Sequence, residues 1–340
     1  MAQIITYNVI AHISEWPERN PMSDAPLPPS PAGDSPRSGG IYTRAGTTVS
    51  LKRDAWQAQI ATQGGSLVAL TFNGHPLVRA WPTSQVRPCY HGATLAPWPN
   101  RLADGNYIFA GQTHQLALTE PELNNALHGL VCWENWTLID SGPDTATMGT
   151  TILPQPGYPF QIELTSHWRL SGEGLTWTVT AINQAPAPAP FGIGIHPYLT
   201  AGEGSVDDWT LTVPAQTILI TDPSRKLPTG RRQLRTSPLS DLRIGRCLKG
   251  VRLDDCFTDF TKGQISITRP DGTGVAMEWE PENLPFAQVF TSDLPDSPWD
   301  RTGVAIEPCS CAPNAFNAPE GPPTLTPREE RTYRWSLKMI

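Results

Sequence analysis

Two ionisable side chains stand directly before a proline at the end of an apolar run. His196 follows FGIGI and precedes Pro197, and Glu307 follows VAI and precedes Pro308. A residue before proline is held in an extended conformation, so each side chain is expected at a strand end with a fixed backbone. A partly desolvated carboxylate has a raised pKa and suits proton abstraction, and an imidazole can donate a proton. The alternative is structural: each group satisfies the backbone or forms an ion pair at the end of a sheet.

Gly192 and Gly194 alternate along the run that leads to His196. Because neither has a Cβ, another group can approach that strand closely. The run therefore predicts a strand with one cleared side beside the imidazole.

The polar pair Asn100 and Arg101 follows two prolines and precedes the turn sequence ADGN. Proline-fixed loops position polar groups at low entropic cost, and this pair can donate several hydrogen bonds to hydroxyls or carboxylates. A salt bridge from Arg101 across a hairpin is the alternative, and the residues alone do not choose between the two.

His128 lies between an apolar pair and a glycine, with Trp133 and Trp136 shortly after it. Aromatic faces with an imidazole suit a sugar, because its C–H faces stack while its hydroxyls form hydrogen bonds. The alternative is two core tryptophans beside an incidental histidine.

Asp254 and Asp255 are adjacent between two apolar residues, Leu253 and Phe257. Adjacent residues on a strand point to opposite faces, so only one of them should face a given site. They are therefore not a catalytic carboxylate pair, and a turn or a solvated edge is the alternative.

Patterns of period two predict the elements that must position these groups. The segment GLTWTVTAIN at 174–183 alternates apolar residues with threonines, and the same period recurs at 209–213, 264–268, 275–279, 286–290 and 332–337. Thirty-six prolines suit short strands and turns better than helices. We therefore predict an all-β fold, a large antiparallel β-sandwich.

The N-terminal part of the chain has a different composition. Residues 15–40 are rich in Pro, Ser, Gly and Asp and cannot bury enough apolar surface to offset their ordering cost. We predict a flexible leader over residues 1–40 and a single domain over 41–340.

Charge and cysteine usage argue against several function classes. The net charge is −7 and the basic residues are spread along the chain, which disfavours a nucleic-acid partner. There is no apolar run long enough to span a membrane and no secretory signal pattern, so a cytoplasmic location without a membrane partner is expected. The six cysteines have no zinc-like spacing, so we expect free thiols and no metal. No strand is an obvious interface edge, and we expect a monomer or a weak homodimer.

Together these motifs resemble the aldose 1-epimerase family, also called galactose mutarotases. The resemblance rests on PNR at 99–101, LHG at 127–129, GIHPY at 194–198, DD at 254–255 and AIEP at 305–308. It extends to the hairpin sequence GNYIFAGQTHQL and covers the chain from roughly residue 45 to its C-terminus.

The resemblance implies a β-supersandwich with the sugar in an open cleft on one sheet. It implies that Glu307 is the general base on the C1 hydroxyl and that His196 is the general acid on the ring oxygen. The reaction would interconvert the α and β anomers of a free aldohexose by ring opening and closure, without a cofactor or metal. The hydroxyls of this small-molecule sugar would be bound by Asn100, Arg101, His128 and Asp254.

Two departures from the family pattern concern the sugar more than the reaction. LAPWPNR replaces the Gly-Arg that better-known members carry upstream of Asn-Arg, and Trp98 here offers a stacking face. Pro308 and Cys309 replace the polar residue after the glutamate.

Two other functions fit the same resemblance. A hexose-6-phosphate 1-epimerase would need a cationic anchor, which could come from an exposed loop that contains Arg231, Arg232 and Arg235. A non-catalytic sugar-binding module on the same fold is the other alternative.

Overall fold

The computed structural model describes residues 43–340, and the predicted leader over residues 1–40 lies outside them. Within residues 43–340 the only helices are five short 3₁₀ segments, namely Pro121–Leu123, Val206–Asp208, Leu234–Thr236, Ser240–Arg243 and Ala315–Asn317.

The rest of the regular structure in this part of the chain is strand. In chain order the strands are β1 (Thr48–Arg53), β2 (Trp56–Ala61), β3 (Ser66–Phe72), β4 (His75–Pro76), β5 (Thr94–Leu95), β6 (Arg101–Ala103), β7 (Asn106–Phe109), β8 (Gln112–Gln115), β9 (Asn125–Leu127), β10 (Thr137–Ser141), β11 (Thr145–Ile152), β12 (Ile162–Ser171), β13 (Gly174–Asn183), β14 (Ala189–Pro190), β15 (Gly194–Ile195), β16 (Tyr198–Leu199), β17 (Thr210–Thr212), β18 (Ala215–Thr221), β19 (Pro228–Gln233), β20 (Arg246–Cys247), β21 (Asp254–Phe260), β22 (Gly263–Thr268), β23 (Gly274–Trp279), β24 (Phe286–Phe290), β25 (Val304–Cys309), β26 (Thr324–Leu325) and β27 (Glu330–Met339).

Two large antiparallel sheets dominate the described residues. The first has nine strands in the order β10-β11-β12-β13-β27-β23-β22-β17-β20. The second has the order β19-β18-β21-β24-β25-β15-β5, with β16 also paired to β25. A four-stranded sheet, β1-β2-β3-β4, precedes them in the chain. The predicted all-β antiparallel sandwich is confirmed.

Because side chains alternate between the two faces of a strand, one set on each strand points into the core between the sheets. In the nine-stranded sheet, Trp177 lies opposite Trp335 of β27 and both are buried. In the second sheet, Val289 and Ile306 belong to the same buried cluster. Trp335 also donates a hydrogen bond of 3.1 Å from Nε1 to the Pro308 carbonyl, which ties β27 to β25 across the core.

The strands that were predicted from period-two patterns all form. The six segments correspond to β13, β17, β22, β23, β24 and β27, and GNYIFAGQTHQL forms the hairpin β7–β8. In β13 and β22 one face is buried and the other is not, which is the condition that produces alternation, whereas β23 and β24 are buried on both faces over most of their length.

Two sequence expectations about position are wrong. Glu307 does not end its strand, because β25 continues through Pro308 to Cys309. Pro308 has no N–H to donate to a neighbouring strand. It fits in β25 because β15 and β16 are interrupted at His196 and Pro197, so the hydrogen-bonded ladder on that side of β25 is not continuous. Arg231 and Arg232 do not lie in a loop but on the edge strand β19, and Arg235 lies in the 3₁₀ segment that follows.

Candidate active site

A cavity of about 240 Å³ lies over the face of the second sheet that points away from the core. Its lining includes all six residues selected from the sequence, which are Asn100, Arg101, His128, His196, Asp254 and Glu307. We call it the site cavity. These residues come from five separate parts of the chain, so only the tertiary fold brings them together.

His196 and Glu307 are neighbours on adjacent strands. Gly194 lies opposite Cys309, and Tyr198 lies opposite Ala305, and the same register places His196 opposite Glu307. The two side chains lie on the same face of the sheet, with 3.3 Å between Nε2 and Oε1. Both groups therefore face the site cavity from one side of the sheet.

Burial drives both groups of this pair toward their neutral forms. Desolvation lowers the pKa of His196 to about 3, with a smaller effect in the same direction from His91. Desolvation raises the pKa of Glu307 well above its ordinary value; the Asp254 carboxylate adds to this and Arg101 opposes it. Both shifts favour a pair that holds a single proton, and because the two groups are in contact that proton is best assigned to the pair.

An aromatic stack fixes the ring plane of His196. Tyr198 lies against His196 with 5.1 Å between ring centroids, and His91 stacks on the other side of Tyr198 at 3.8 Å. The Tyr198 hydroxyl donates to the Cys89 carbonyl at 3.2 Å, and a hydrogen bond of 2.7 Å joins His91 Nδ1 to the Pro88 carbonyl. The imidazole that faces Glu307 is thus held by packed neighbours on a rigid strand end.

The alternating glycines perform the predicted role of allowing a close approach, and the group that approaches is Pro99. A Cβ at Gly194 would lie 3.1 Å from Pro99 Cβ and 2.6 Å from Cys309 Sγ. A Cβ at Gly192 would lie 3.1 Å from Pro99 Cδ. Since Pro99 directly precedes Asn100, this contact sets the position of the polar pair over the sheet.

Arg101 combines the two roles that the sequence left open. It forms a two-pronged ion pair with Glu120, at 2.9 Å from Nε to Oε2 and 3.0 Å from Nη2 to Oε1. Its remaining nitrogen, Nη1, lies 3.7 Å from Asp254 Oδ2. The salt bridge holds the guanidinium plane, and the held guanidinium lines the site cavity beside Asp254.

The hydrogen bond that His128 accepts identifies its tautomer. The Asn100 N–H donates to Nδ1 at 3.2 Å, so the neutral ring carries its proton on Nε2. Desolvation lowers the pKa of this imidazole well below its ordinary value, which keeps it neutral. His128 is therefore a hydrogen-bond donor at the site cavity.

Three side chains of the site cavity are close enough to suggest a metal site, but their chemistry does not suit one. Ligand atoms of His128, His196 and Glu307 lie within 4.8 Å of one another. A metal-bound histidine normally donates its second ring N–H to a neighbour, whereas His128 accepts at Nδ1 from the Asn100 N–H. No lone pair is left at Nε2 for a cation.

The two adjacent aspartates point in opposite directions, as expected on a strand. Asp254 lines the site cavity, and its Oδ1 accepts a hydrogen bond of 2.7 Å from Gln288 Nε2. Its Oδ2 lies 3.6 Å from Lys226 Nζ. Asp255 is not among the lining residues, and desolvation raises the pKa of its carboxyl.

Sequence reasoning missed several lining residues. Glu120, which holds Arg101, precedes Pro121 in the same arrangement that had drawn attention to His196 and Glu307, so a signal for it was present. Gln288 is a polar residue in the middle of an apolar strand, and a search for such interruptions could have found it.

Tyr90 could not have been found in this way, because its position depends on an unusual backbone. Cys89 and Tyr90 have successive positive φ angles of 43° and 58°, a conformation that costs about 1–2 kcal/mol for each non-glycine residue. The Tyr90 ring lies 4.6 Å from that of His128 and 6.2 Å from that of His196. The buried Arg87 anchors this loop by donating to the carbonyls of Gln63 and Cys132.

The tryptophans selected from the sequence do not line the site cavity. Trp98, expected to offer a stacking face, is buried against Phe316 and donates from Nε1 to the Ala126 carbonyl at 3.3 Å. Trp136 is a core residue, whereas Trp133 is partly exposed and packs against Tyr90. The alternative of core tryptophans therefore holds for Trp98 and Trp136, because their indole faces are more stable against apolar neighbours than in the polar cavity.

Three buried polar atoms on residues of the site cavity lack a hydrogen-bond partner within residues 43–340. They are His196 Nδ1, Gln288 Oε1 and Glu307 Oε2. A buried polar atom is usually paired, so these three atoms can form hydrogen bonds with a polar group that enters the cavity. All six cysteines, which lie within the described residues, carry free thiols, as the sequence predicted. Residues 43–340 contain no helix that is long and apolar enough to cross a bilayer.

The chain is similar to one family model and to curated bacterial proteins, two of which are described here. The family model described as Aldose 1-epimerase matches residues 47–338. The uncharacterized protein YihR of Escherichia coli K12 is 32% identical over 276 residues, which cover 81% of this chain and 87% of YihR. The uncharacterized protein YphB of the same organism is 23% identical over 302 residues, which cover 86% of this chain and 99% of YphB.

Solved structures with the same fold come from bacteria and an animal. A galactose mutarotase-like protein from Clostridium acetobutylicum has a TM-score of 0.76 at 19% identity and covers 86% of this chain and 95% of its own. The GalM/aldose epimerase homologue from C. elegans has a TM-score of 0.76 at 17% identity, with 86% and 98% covered. A galactose 1-epimerase from Lactobacillus acidophilus has a TM-score of 0.72 at 17% identity, with 86% and 94% covered. At these identities the likeness shows a shared fold.

Proposed function

The chain belongs to the aldose 1-epimerase family, and we propose that it interconverts the α and β anomers of a free aldohexose. The observation that carries this proposal is the contact between His196 and Glu307 on the floor of a cavity that is lined by further hydrogen-bonding groups. Ring opening of a hemiacetal needs one group to take a proton from O1 and another to give a proton to the ring oxygen. An imidazole and a carboxylate 3.3 Å apart can serve both atoms of one ring.

In ring opening, the Glu307 carboxylate takes the proton of the C1 hydroxyl, and the His196 imidazolium donates its Nε2 proton to the ring oxygen. The C1–O5 bond breaks, and the pair is left neutral, with the proton on Glu307. Rotation about C1–C2 presents the other face of the aldehyde. In closure, His196 takes back the proton of the C5 hydroxyl, and Glu307 returns a proton to O1, so that the pair is regenerated.

The single proton on the pair is consistent with this cycle. Burial favours the neutral form, in which Glu307 is protonated and His196 is neutral, and this is the form that accompanies the open-chain sugar. The short distance between Nε2 and Oε1 lets the proton pass to His196 when the sugar enters. The Arg101 guanidinium, which lowers the pKa of Glu307, favours the ionised form that starts the reaction.

The other lining residues bind and orient the sugar in this proposal. Arg101 and the Nε2–H of His128 are donors to sugar hydroxyls, and Asp254 is an acceptor. Asn100 holds both donors: its backbone N–H contacts His128, and its side-chain oxygen accepts from the Arg101 N–H at 2.9 Å. Such fixed groups lower the entropic cost of holding the ring over the pair.

The test is polarimetry of freshly dissolved α-glucose, α-galactose, xylose and arabinose, with the Glu307→Gln variant beside the parent protein. Acceleration by the parent and a loss of two or more orders of magnitude in the variant, about the usual contribution of one general acid or base, are expected. Equal acceleration by parent and variant would contradict the assignment of Glu307, and no acceleration by the parent would favour a non-catalytic sugar-binding module.

Glucose 6-phosphate belongs in the same panel, because a hexose-6-phosphate 1-epimerase shares the chemistry. We favour the unphosphorylated sugar, since Arg231, the one candidate phosphate anchor that lines a cavity, is four strands away from Glu307 in the order β19-β18-β21-β24-β25. At about 4.8 Å per strand this is about 19 Å, too far for one hexose 6-phosphate. Preference for glucose 6-phosphate over glucose would overturn this choice.

A further inference from the structure

The hairpin loop between β18 and β19, residues 222–227, reaches Asp254 from the edge of the second sheet. Its residue Lys226 has Nζ 3.6 Å from Asp254 Oδ2, and Arg101 Nη1 lies 3.7 Å from the same oxygen. Lys226 is not among the residues that line the site cavity, whereas Arg101 and Asp254 are. Two cationic groups therefore stand at nearly equal distances from one oxygen of a carboxylate that is proposed to bind the sugar.

Neither cationic group forms a hydrogen bond with Asp254 Oδ2. Both separations exceed the usual N–H···O range of about 2.7–3.2 Å. Gln288 donates to Oδ1, and no other side chain within residues 43–340 donates to Oδ2. A hydroxyl oxygen about 2.7 Å from Oδ2 and about 2.9 Å from either nitrogen would complete a triangle with the observed separations. The spacing therefore leaves room for one hydroxyl that donates to Oδ2 and accepts from a cationic nitrogen.

The charges around this oxygen favour a neutral ligand group. Arg101 is paired with Glu120 through two hydrogen bonds, and Lys226 stands beside Asp254. Two cationic and two anionic side chains balance each other, so a neutral hydroxyl suits the position better than a phosphate or a carboxylate. A hydroxyl serves groups of both signs, because it donates one hydrogen bond and accepts others.

Arg225 anchors the loop that carries Lys226. The Arg225 Nη2 donates to the Asn124 carbonyl at 2.8 Å and to Asp104 Oδ1 at 3.0 Å. Its Nε donates to the Leu123 carbonyl at 3.2 Å. The loop is thereby fixed to a segment that is about a hundred residues earlier in the chain.

The buried Asn125 connects this anchor to Arg101. Its Nδ2 donates to the Arg225 carbonyl at 3.2 Å and to Glu120 Oε2 at 2.9 Å. The contacts thus run from the loop through Asn125 and Glu120 to Arg101. They return to the loop across Asp254 Oδ2, so both cationic groups are held in place before a ligand binds.

The backbone of Lys226 is also held in an uncommon conformation. Its φ is 58°, in the left-handed region that a lysine rarely adopts. Its N–H donates to the Asp222 carbonyl at 2.7 Å, and the Asp222 N–H donates to the Leu227 carbonyl at 2.9 Å. Residues in such conformations concentrate where a structure positions a functional group.

We propose that Lys226 is a further sugar-binding residue, which shares one hydroxyl of the sugar with Asp254. This hydroxyl donates to Asp254 Oδ2 and accepts from Lys226 Nζ, and Arg101 Nη1 stands on the same oxygen as a second donor. The inference rests on the proposed anomer interconversion, because it adds a binding group to the same site.

The experiment measures mutarotation of glucose and of its 2-, 3-, 4- and 6-deoxy analogues by the parent and by Lys226→Met. Methionine keeps most of the side-chain length and removes the ammonium group. KM for glucose is expected to rise about tenfold, as for a lost hydrogen bond from a charged group. The loss should appear mainly in KM, because the contact is made in the ground state and the transition state alike. For the one analogue that lacks the shared hydroxyl, parent and variant should have the same KM.

Lys262→Met is the matched control. Lys262 Nζ also lies 3.6 Å from a carboxylate oxygen, Oε1 of Glu278, but Glu278 belongs to β23 of the nine-stranded sheet. This variant should match the parent with every sugar. Thermal unfolding of Lys226→Met identifies any loss of structure, and none is expected because the lysine side chain is partly exposed.

The outcomes separate this inference from the proposed function. A parent-like KM for glucose in Lys226→Met overturns the proposal and leaves the anomer interconversion intact. An equal KM increase for glucose and all four analogues also overturns it, because Lys226 would then act only through Asp254.

If the parent does not accelerate mutarotation of glucose, calorimetric binding of methyl glucoside and its deoxy analogues decides instead. Binding that is about tenfold weaker in Lys226→Met, with the difference absent for one analogue, supports the shared hydroxyl. Equal binding by parent and variant rejects it.

Discussion

His196 and Glu307 are direct cross-strand neighbours, with 3.3 Å between Nε2 and Oε1 and both side chains almost fully buried. In the proposed reaction the acid and the base would therefore both come from a sheet rather than from loops. Burial moves their pKa values in opposite directions: desolvation penalises the charged form of each, so the imidazole loses affinity for a proton and the carboxyl gains it.

Removal of either member of the pair should abolish most of the mutarotation rate. Glu307→Gln and His196→Asn are each expected to lower kcat by about 10²–10⁴-fold, the range for one general acid or base. The double variant should be only slightly worse than either single one, because the two groups share one proton. Polarimetry gives the rates, and fully additive losses would show that the two groups act independently.

Of the two adjacent aspartates, only Asp254 is expected to affect kcat/KM for the sugar. Asp254→Asn weakens an acceptor in the site cavity and its bond with Gln288, so kcat/KM is expected to fall about tenfold or more, as for a hydrogen bond to a charged group. Asp255→Asn is the control, since this side chain points to the other face of β21. A larger loss from Asp255→Asn than from Asp254→Asn would contradict the assignment.

Gly194→Ala tests the packing that positions Asn100 and Arg101. The added methyl would meet Cys309 Sγ and Pro99 Cβ, so Pro99 must move and carry the polar pair with it. We expect kcat/KM to fall by more than tenfold, since small misplacements of binding groups are costly. Gly172→Ala is the control, because its added methyl would be 3.6 Å from its nearest neighbour, Asp54 Oδ2. Full activity in Gly194→Ala would show that the loop tolerates displacement.

Tyr90 is expected to position the imidazoles through its ring rather than its hydroxyl. The ring packs on His128 at 4.6 Å and on His196 at 6.2 Å. Tyr90→Ala should therefore lower kcat by about tenfold or more and change the pH profile, as both imidazoles gain freedom and water. Tyr90→Phe should restore the parent profile, and failure of that variant would assign the effect to the hydroxyl instead.

Buried neutral histidines should make folding stability fall in mild acid. Burial lowers the pKa values of His91 and His196 from 6.5 to about 3. Above pH 6.5 both are neutral whether folded or unfolded, but between pH 6.5 and about pH 3 only the unfolded chain binds the protons, so the free energy of unfolding decreases.

The His91→Gln variant removes one of these two histidines and keeps both His196 and Glu307. Its melting temperature should fall less between pH 7 and pH 5 than that of the parent, as measured by thermal unfolding at each pH. His167→Gln is the control, because His167 lies on an exposed face of β12 and should leave the parent dependence unchanged. An identical acid sensitivity in His91→Gln and the parent would refute the explanation.

The sequence by itself determined the fold class and the identity of the six candidate residues. Alternation in GLTWTVTAIN indicates burial of one face of a strand, which is a local property. The prolines that follow His196 and Glu307 indicate an extended backbone at those two residues, which is also a local property. The adjacency of Asp254 and Asp255 was enough to predict that only one would face the site, because strand geometry fixes the alternation.

Only the tertiary structure decided which distant groups touch. The register between β25 and the β15–β16 segment set the His196–Glu307 contact, the packing of Pro99 on Gly194 positioned Asn100 and Arg101, and the strained loop at Cys89 brought Tyr90 to the site cavity. Trp98 has an aromatic face that could stack on a sugar, but it is buried in the core, since an indole is more stable when its whole surface is removed from water. Such outcomes depend on contacts between residues that are far apart in the chain, such as Gly194 and Cys309, and no local pattern encodes them.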